Sequence, residues 1–306
     1  MTSVLASAAD ESYGYHVLNL VGSVKANSDV FDAIVVYDLG LSPHQRRLLG
    51  AVPGVELRPV EPFVPHWAQC FTWKPWIWTQ LDADEVFYLD AGTTVLRSLG
   101  PVLEQIRERG YFLVSQGNEL RDIAPPDYFE LYGLDGSAAS RPYVAAGIIG
   151  FRPAGELYAD VLRPTYEDCL EGRNLGFSAD EVAGRNRGIG FTPGPVIRAC
   201  AHFRWDQTVL NVRLARDRPD AYVNDLDEYA GWRSPRDHPR QVIWSHRRQG
   251  SLGYLKRVPY AGRGALRARA FGIGYQVRWW LKLNERLFRA DLYRLKARRT
   301  WRELFP

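Results

Sequence analysis

The most informative carboxylate of the chain is Asp90, which directly follows the short apolar run Glu85–Leu89. That run is rich in β-forming residues and comes after a helical-looking segment opening at Lys74, so it predicts a strand of an α/β sheet. Ligands of such sheets bind at the carboxyl ends of strands. Ala91 and Gly92 leave room beside the carboxylate, and carboxylate oxygens suit Mg²⁺ or Mn²⁺. The residues therefore predict a site for a bulky anion held through a metal ion.

A second group of polar side chains opens a helical pattern at Asp206, Gln207 and Asn211. The apolar residues at positions 209, 210, 212 and 214 recur along the same segment and would face a core. The polar trio is therefore expected to project toward a cleft. The structural alternative is that Asp206 only balances the helix dipole and that both amides are ordinary surface residues.

The composition predicts a folded protein, because 306 residues with 46% hydrophobic and 24% charged content can bury a substantial core. The three cysteines are widely spaced and form no CxxC pair, so neither a disulfide framework nor a zinc knuckle is expected. The N-terminus lacks the pattern of a signal peptide, and no segment is long and apolar enough for a membrane span. These features favour a cytoplasmic protein.

The formal net charge of +4 hides an uneven distribution. Residues 257–306 contain thirteen Lys and Arg residues against three acidic ones, so the rest of the chain is acidic. Apolar residues recur in this segment at near-helical spacing and predict a basic amphipathic helix. Two interpretations stay open: the helix packs on the main domain, or it docks peripherally on an anionic membrane. No nucleic-acid partner is expected, because no known nucleic-acid-binding module accompanies the basic residues.

Strands and helices alternate along the chain and predict an α/β fold with a mixed, mostly parallel sheet flanked by helices. Strands are expected at residues 15–21, 31–37, 55–60, 85–89, 111–115 and 144–151, and helices at 43–49, 101–109 and 156–171. The Gly- and Pro-rich segments 119–142 and 172–195 predict long loops that shape a binding pocket. The expected domains are a disordered N-terminus over 1–12, one main domain over 13–255, and a basic helical tail over 256–306.

Five segments of the chain, in this order, resemble glycosyltransferases of the GT-A type. They are WKP from Trp73, the strand ending in DAG at Asp90, AAGIIGFR from Ala145, DQTVLN from Asp206 and IWSHRRQG from Ile243. The first two are similar to bacterial polysaccharide-type enzymes. DQTVLN resembles the DQxxLN segment of glycogenin-like enzymes and is the most specific of the five. The resemblance covers residues 13–255 in arrangement and implies a Rossmann-like GT-A fold.

The resemblance implies transfer of a sugar from a nucleoside diphosphate sugar, with uridine as the expected base, to a hydroxyl of a saccharide or lipid-linked acceptor. Asp206 and Gln207 are the expected catalytic residues, Asp206 at the sugar hydroxyls and Gln207 near the anomeric carbon. The expected donor-binding residues are Val21, Gly22, Lys74, Asp90, Gly92, Gly147, Asn211 and Arg247. Gly22 is included because a glycine after the first strand lets the backbone approach the nucleotide.

The chain departs from the GT-A pattern at the metal site. The common signature is Asp-x-Asp, and Gly92 stands where the second carboxylate is expected. We favour a site in which Mn²⁺ or Mg²⁺ is held by Asp90, His246 and the donor diphosphate. The alternative is a metal-independent site in which Lys74, Arg247 and Arg248 offset the charge of the leaving diphosphate.

Retention or inversion of the anomeric configuration stays open, because nothing ranks Asp122, Asp127, Asp180 and Glu181 as a base. Two other classes also stay open. A GT-A-like protein without activity could serve as a membrane-associated assembly partner, which the missing second carboxylate would suit. A haloacid dehalogenase-like phosphatase is the weaker alternative, because LDAGTTV lacks the second aspartate of that motif.

Overall fold

The computed structural model of the protein describes residues 1–28, 30–175, 203–231, 240–245, 252–262 and 264–280. The strands are β1 (Ser3–Ala9), β2 (Ala33–Asp38), β3 (Val55–Pro59), β4 (Glu85–Leu89), β5 (Thr93–Val95), β6 (Tyr111–Glu119), β7 (Pro142–Phe151), β8 (Ala230–Gly231) and β9 (Ile243–Ser245). The α-helices are α1 (Gly14–Asn27), α2 (Pro43–Gly50), α3 (Trp73–Thr79), α4 (Gly100–Arg109), α5 (Pro126–Leu131), α6 (Arg163–Leu170), α7 (Asp206–Asp217), α8 (Leu226–Tyr229) and α9 (Ala265–Trp280).

A six-stranded sheet in the order β3-β2-β1-β4-β7-β6 forms the centre of the fold. Strand β1 pairs in parallel with β2 and with β4, and β2 pairs in parallel with β3. Strand β7 runs antiparallel to both β4 and β6. This confirms the predicted mixed, mostly parallel sheet flanked by helices. Since β2 lies on one side of β1 and β4 on the other, the winding of the sheet reverses there. Such a reversal opens a crevice at the carboxyl ends of the two strands.

Side chains of the central strands alternate between two apolar cores, one on each face of the sheet. Leu5 and Phe87 belong to the core covered by α1, α2 and α4. Ala6 and Tyr88 belong to the opposite core, which α3 and α7 cover. The strands are thus buried on both faces, as parallel strands usually are. Side chains in phase with Tyr88 therefore point toward α3 and α7.

The predicted helices at 43–49, 101–109 and 156–171 are confirmed as α2, α4 and a helical stretch with one π turn (Tyr158–Leu162) before α6. At the start of α2, the Gln45 amide N–H donates to Ser42 Oγ at 3.3 Å and the Ser42 N–H donates to Gln45 Oε1 at 2.9 Å. This reciprocal pair is a capping box and explains why the helix begins at Pro43.

The prediction for the N-terminal residues is wrong in two respects. Residues 1–12 are not disordered, because Ser3–Ala9 forms β1 at the centre of the sheet. Residues 15–21 are not a strand but lie inside α1. Every residue of α1 from His16 to Val24 is buried, so its apolar residues show no one-sided helical period.

The expected loop over 119–142 is also more regular than predicted. It contains the short 3-10 helices Leu120–Asp122 and Gly136–Ser140 with α5 between them. Most of the second expected loop, 172–195, lies outside the described residues.

Helix α9 belongs to the predicted basic tail and packs on the main domain through aromatic side chains. The Phe271 ring centroid lies 5.2 Å from that of Tyr15 and 5.1 Å from that of His44, and Tyr275 lies 5.6 Å from Tyr15. Residues 281–306, which hold the rest of the predicted tail, are outside the described part of the chain. Within the described ranges, no helix combines the length and apolar character that crossing a membrane requires.

Helix α1 packs closely on β5 and on the described segment 252–262, which follows β9 in the sequence. Asn19 donates from Nδ2 to Thr94 Oγ1 at 2.9 Å, and its Oδ1 accepts from the Tyr254 N–H at 2.9 Å. A Cβ atom at Gly22 would lie 2.5 Å from the Tyr254 carbonyl oxygen and 2.9 Å from Val258 Cγ2. Gly22 is therefore a packing position that lets two segments touch.

We expect Gly22→Ala to lower the free energy of unfolding by about 1–3 kcal/mol, because the methyl group overlaps with backbone that cannot move freely. Gly274→Ala in α9 is the matched control, since a Cβ there meets nothing within 4 Å. That variant should be neutral or gain up to about 1 kcal/mol from helix propensity. Denaturant unfolding measures both, and equal stability of the two variants would contradict the packing role of Gly22.

Candidate functional site

The centre of the site is the Lys74 ammonium group, which lies between two carboxylates. Its Nζ atom is 3.1 Å from Asp90 Oδ1, 3.2 Å from Asp90 Oδ2 and 3.6 Å from Asp206 Oδ2. The Lys74 and Asp206 side chains are 7% and 3% exposed, whereas that of Asp90 is 43% exposed. Lys74 lies in α3, Asp90 directly follows β4 and Asp206 begins α7, so the cluster connects a strand end to two helices.

Asp90 is fixed at the end of β4 by its backbone and its neighbours. Its N–H donates to the Gly147 carbonyl oxygen at 2.8 Å, and its own carbonyl accepts from Thr93 Oγ1 at 2.8 Å. The Tyr88 hydroxyl donates to Asp90 Oδ1 at 3.0 Å. A Cβ atom on Gly147 would lie 2.2 Å from Asp90 Oδ2, so only glycine leaves room for this carboxylate.

Asp206 is the first residue of α7 and is set by an unusual backbone conformation before it. Trp205 has φ of +50°, a region that non-glycine residues rarely adopt. The Thr208 hydroxyl stabilises the start of the helix. Its Oγ1 atom accepts a hydrogen bond from the Arg204 N–H at 3.0 Å and donates one to the Ile123 carbonyl oxygen at 2.9 Å. The Asp206 Oδ2 atom is buried and accepts no hydrogen bond from the described residues. Its nearest described donor is the Lys74 ammonium at 3.6 Å, so this buried oxygen keeps unused capacity to accept a hydrogen bond.

The surroundings shift the proton affinity of each member of the cluster. Burial raises the pKa of Asp206 to about 6, and the Asp90 charge adds to this while Lys74 opposes it. Burial alone would lower the pKa of Lys74, but the Asp206 and Asp90 carboxylates together raise it, so the ammonium stays charged at neutral pH. Burial and Asp90 raise the pKa of Tyr88 far above its ordinary value, so its phenol remains a neutral donor.

Two carboxylates around one ammonium leave the cluster with a net negative charge at neutral pH. Such a cluster repels an unaccompanied phosphate but accepts hydrogen bonds from hydroxyl groups. The described residues therefore favour a neutral, hydroxyl-bearing group next to Asp206. A diphosphate near Asp90 would need a further cation.

The chemistry of Asp90, an exposed carboxylate, fits a hard divalent ion. The described residues alone do not complete such a site, because they contain no group of three or more His, Cys, Asp or Glu side chains placed to hold a metal. Gly92 lies in the turn between β4 and β5 and offers no side-chain ligand. The other expected ligand, His246, lies outside the described residues together with Arg247, Arg248, Asp180 and Glu181.

Gln207 and Asn211 lie one turn apart on α7 and attach the helix to β7. Asn211 Oδ1 accepts from the Val144 N–H at 2.6 Å, and its Nδ2 donates to the carbonyl oxygens of Val144 and Gln207 at 3.0 and 2.8 Å. Gln207 Nε2 donates to the Val144 carbonyl at 2.8 Å. The Asn211 amide is thus occupied by hydrogen bonds to the backbone. Its position in the structure anchors α7 to β7 and does not leave the amide open to a sugar donor.

The structure separates Val21 and Gly22 from this cluster. Both residues are inside α1 and buried, and their expected role assumed that they follow the first strand. The first strand is β1, and the loop after it is residues 10–13. The structure therefore gives no basis for a nucleotide contact by Val21 or Gly22.

Two aromatic residues of the site were not predicted as site residues: Tyr88 and Trp205. Tyr88 could have been found, because a residue two positions before Asp90 on a strand points to the same face. The Lys74 Nζ atom lies 5.2 Å from the Phe71 ring centroid and 5.9 Å from that of Tyr88. Trp205 carries no sequence signal of this kind, because its place depends on a turn that only the fold defines. Phe71 belongs to a cluster with Trp67, Trp73, Trp76 and Trp78, for which the sequence leaves two interpretations, packing in the core or stacking of one or two rings on an acceptor sugar.

A cavity of about 270 Å³ lies beside the C-terminal half of α7. Its lining includes Arg141, Tyr143, Asn211, Leu214 and Arg218 but none of the three residues of the charged cluster. The cavity and the cluster are thus distinct features that share α7.

The fold can be compared with solved structures. The apo structure of the bifunctional glycosyltransferase WbbM matches 87% of this chain with 13% identity and a TM-score of 0.50. The match covers 51% of the WbbM chain, so this chain spans about half of that length. At this identity the likeness shows a shared fold, which places the chain in the α/β class with a glycosyltransferase-like architecture.

Two structures of LgtC are also similar to this chain. The galactosyltransferase LgtC in complex with donor and acceptor sugar analogues has 15% identity and a TM-score of 0.47 over 89% of this chain and 95% of its own. An active-site mutant of LgtC has 16% identity and a TM-score of 0.49 over the same shares. No model of a known protein family and no curated protein matches the chain.

The raised pKa of Asp206 predicts a pH dependence of stability. A carboxyl group with a pKa of about 6 in the folded protein and 3.8 ordinarily binds more protons in the folded state between these values. The free energy of unfolding then falls as the pH rises through this window. We expect wild-type protein to lose stability relative to Asp206→Asn between about pH 4 and pH 6 and to keep a constant difference above that. Denaturant unfolding at a series of pH values measures this, and a pH-independent difference would rule it out.

Proposed function

We propose that the protein is a glycosyltransferase that moves a sugar from a nucleoside diphosphate sugar to a hydroxyl of a saccharide or lipid-linked acceptor. The observation that carries the proposal is the buried Asp206 carboxylate, whose Oδ2 accepts no close hydrogen bond from the described residues and has the Lys74 ammonium 3.6 Å away. It lies with Lys74 and Asp90 at the carboxyl end of β4, where the sheet reverses its winding. A glycosyltransferase-like fold supports the same reaction class.

In this proposal Asp206 accepts a hydrogen bond from a hydroxyl of the transferred sugar, which the net negative charge of the cluster favours. Asp90 is the more exposed carboxylate and faces the donor diphosphate, with Lys74 keeping both carboxylates in place. Gln207 is anchored to Val144 by its Nε2 atom and would present its other amide atom near the anomeric carbon. Gly147 contributes by leaving room for the Asp90 carboxylate, which a side chain at position 147 would overlap. The base of the donor nucleotide is proposed to be uridine.

A cation is proposed to accompany the diphosphate, because the charged cluster by itself repels phosphate. Asp90 would hold Mn²⁺ or Mg²⁺ together with His246, and the ion would supply charge compensation for the leaving group. Arg247 is the other proposed contact of the diphosphate. These roles rest on the resemblance of the sequence and on the exposure of Asp90.

The proposal predicts stabilisation by one nucleoside diphosphate or its sugar. A ligand that binds only the folded state at about 100 times its Kd adds about 2.7 kcal/mol and raises the Tm by several degrees. Thermal unfolding with UDP, GDP, ADP and their sugars, with and without Mn²⁺, measures this shift. We expect Asp90→Ala to lose most of it and Glu104→Ala, which removes an exposed carboxylate on α4, to keep it.

Three outcomes would contradict this prediction. No shift with any nucleotide would favour an inactive assembly protein. Hydrolysis of p-nitrophenyl phosphate without nucleotide binding would favour a phosphatase. A nucleotide shift that is retained in Asp90→Ala would remove Asp90 from the donor site.

We also propose a cytoplasmic location at the anionic inner face of a membrane, with α9 as the contact. Leu266, Ile273 and Val277 are exposed and lie on one side of α9, seven and four residues apart. The opposite side carries Phe271 and packs on the main domain. Exposed Arg267 and Arg269 lie on the same helix, and residues 257–306 are strongly basic. Apolar and cationic side chains together favour an anionic lipid surface.

We expect the full chain to sediment with vesicles of phosphatidylcholine and phosphatidylglycerol, and to do so less at high salt. Leu266→Asp with Ile273→Asp should reduce binding several-fold, because these changes put charge where apolar contact is proposed. Leu131→Asp is the matched control, since Leu131 is exposed on α5. Equal binding to pure phosphatidylcholine, or no effect of the double variant, would contradict the proposal.

A further inference from the structure

Backbone strain is concentrated around the Lys74 ammonium. Among the residues that the structure describes, three non-glycine residues have positive φ: Cys70 at +46°, Phe71 at +60° and Trp205 at +50°. Cys70 and Phe71 lie just before α3, which carries Lys74, and Trp205 lies just before α7, which carries Asp206. Such conformations are unfavourable for non-glycine residues and persist where the surrounding structure holds them.

A buried amide holds the strained turn before α3. Asn174 Nδ2 donates to the Cys70 carbonyl oxygen at 3.0 Å and to Thr72 Oγ1 at 2.8 Å. Thr72 in turn donates from Oγ1 to the Gln69 carbonyl at 2.8 Å. Asn174 and Thr72 are both buried, so the turn is fixed from the interior of the protein.

The strained turn does not bury the Phe71 side chain. Phe71 is 41% exposed, although its ring centroid lies 5.7 Å from that of Trp205 and 6.1 Å from that of Trp73. Nearby Trp76 and Trp78 pack with the core instead. The strained turn thus holds the Phe71 ring against Lys74, Trp73 and Trp205 with about two-fifths of the residue still exposed, and backbone strain of this kind points to a functional surface.

We infer that Phe71 is the platform on which the pyranose ring of the acceptor stacks, which deepens the proposed function and rests on it. The C–H face of a pyranose is apolar and packs on an aromatic ring. The transferred sugar must reach Asp206, which is buried, whereas Phe71 lies exposed beside Lys74 at the outside of the same cluster. The sugar at the exposed ring is therefore the acceptor and not the donor.

The test measures binding of methyl gluco-, galacto- and mannopyranosides by ligand-observed NMR to wild-type protein and variants in the presence of UDP. We expect Phe71→Ala to weaken binding of the preferred pyranoside about tenfold and Phe71→Tyr to keep it. Tyr222→Ala is the matched control, because Tyr222 is also exposed and its ring lies 4.3 Å from a cation, Arg109. UDP binding, followed by calorimetry, should be the same in all variants.

Phe71→Gly separates loss of the ring from loss of the fold, because glycine adopts the positive φ without strain. The Phe71→Gly variant should therefore have a Tm no lower than that of Phe71→Ala. Unchanged pyranoside binding in Phe71→Ala, loss without recovery in Phe71→Tyr, or no pyranoside binding to wild type would each overturn the inference. Pyranoside binding that depends on Phe71 without any nucleotide binding would leave the platform standing and remove the proposed donor.

Discussion

The site and the surrounding fold depend on one buried cation, Lys74, held between Asp90 and Asp206. Burying an ammonium and a carboxylate costs several kcal/mol of hydration, which only close opposite charges offset. Removing Lys74 would leave two carboxylates without compensation, whereas removing one carboxylate would leave a neutral ion pair, so the cation is the member on which the other two depend. Because they come from α3, from the residue directly after β4 and from α7, the same contact fixes both helices over the end of the strand. The stability of the fold and the geometry of the site therefore share one constraint.

Much of the sheet could be predicted from the sequence, because β4 and β7 are apolar runs. The N-terminal residues could not. Strand β1 is SVLASAA, whose small residues have low β propensity but fit a strand that is covered on both faces. Helix α1 is buried almost all around, so its sequence reads like a buried strand. In both places, tertiary packing overrides the local pattern.

The site was predictable only in part, for a related reason. Lys74, Asp90, Gly147 and Asp206 could be selected by residue type and segment order, and the structure brings them together. Asn211 was selected for the same polar character, yet its amide serves the backbone of β7. The sequence reveals which side chains can form hydrogen bonds but not whether the partner is a ligand or a peptide group. For Asn211 the partner is a peptide group, because α7 packs close enough to β7 for the amide to reach the Val144 backbone.

The position of β7 has a consequence for the order in which the sheet can assemble. Strand β7 lies between β4 and β6, although it follows both in the sequence. During synthesis β6 is complete before the strand through which it joins the sheet, while the edge of β4 is still open. Direct pairing of β6 with β4 is then an available error, and β7 must reach that edge first. The antiparallel half of the sheet is thus where a kinetic trap during biosynthesis would arise.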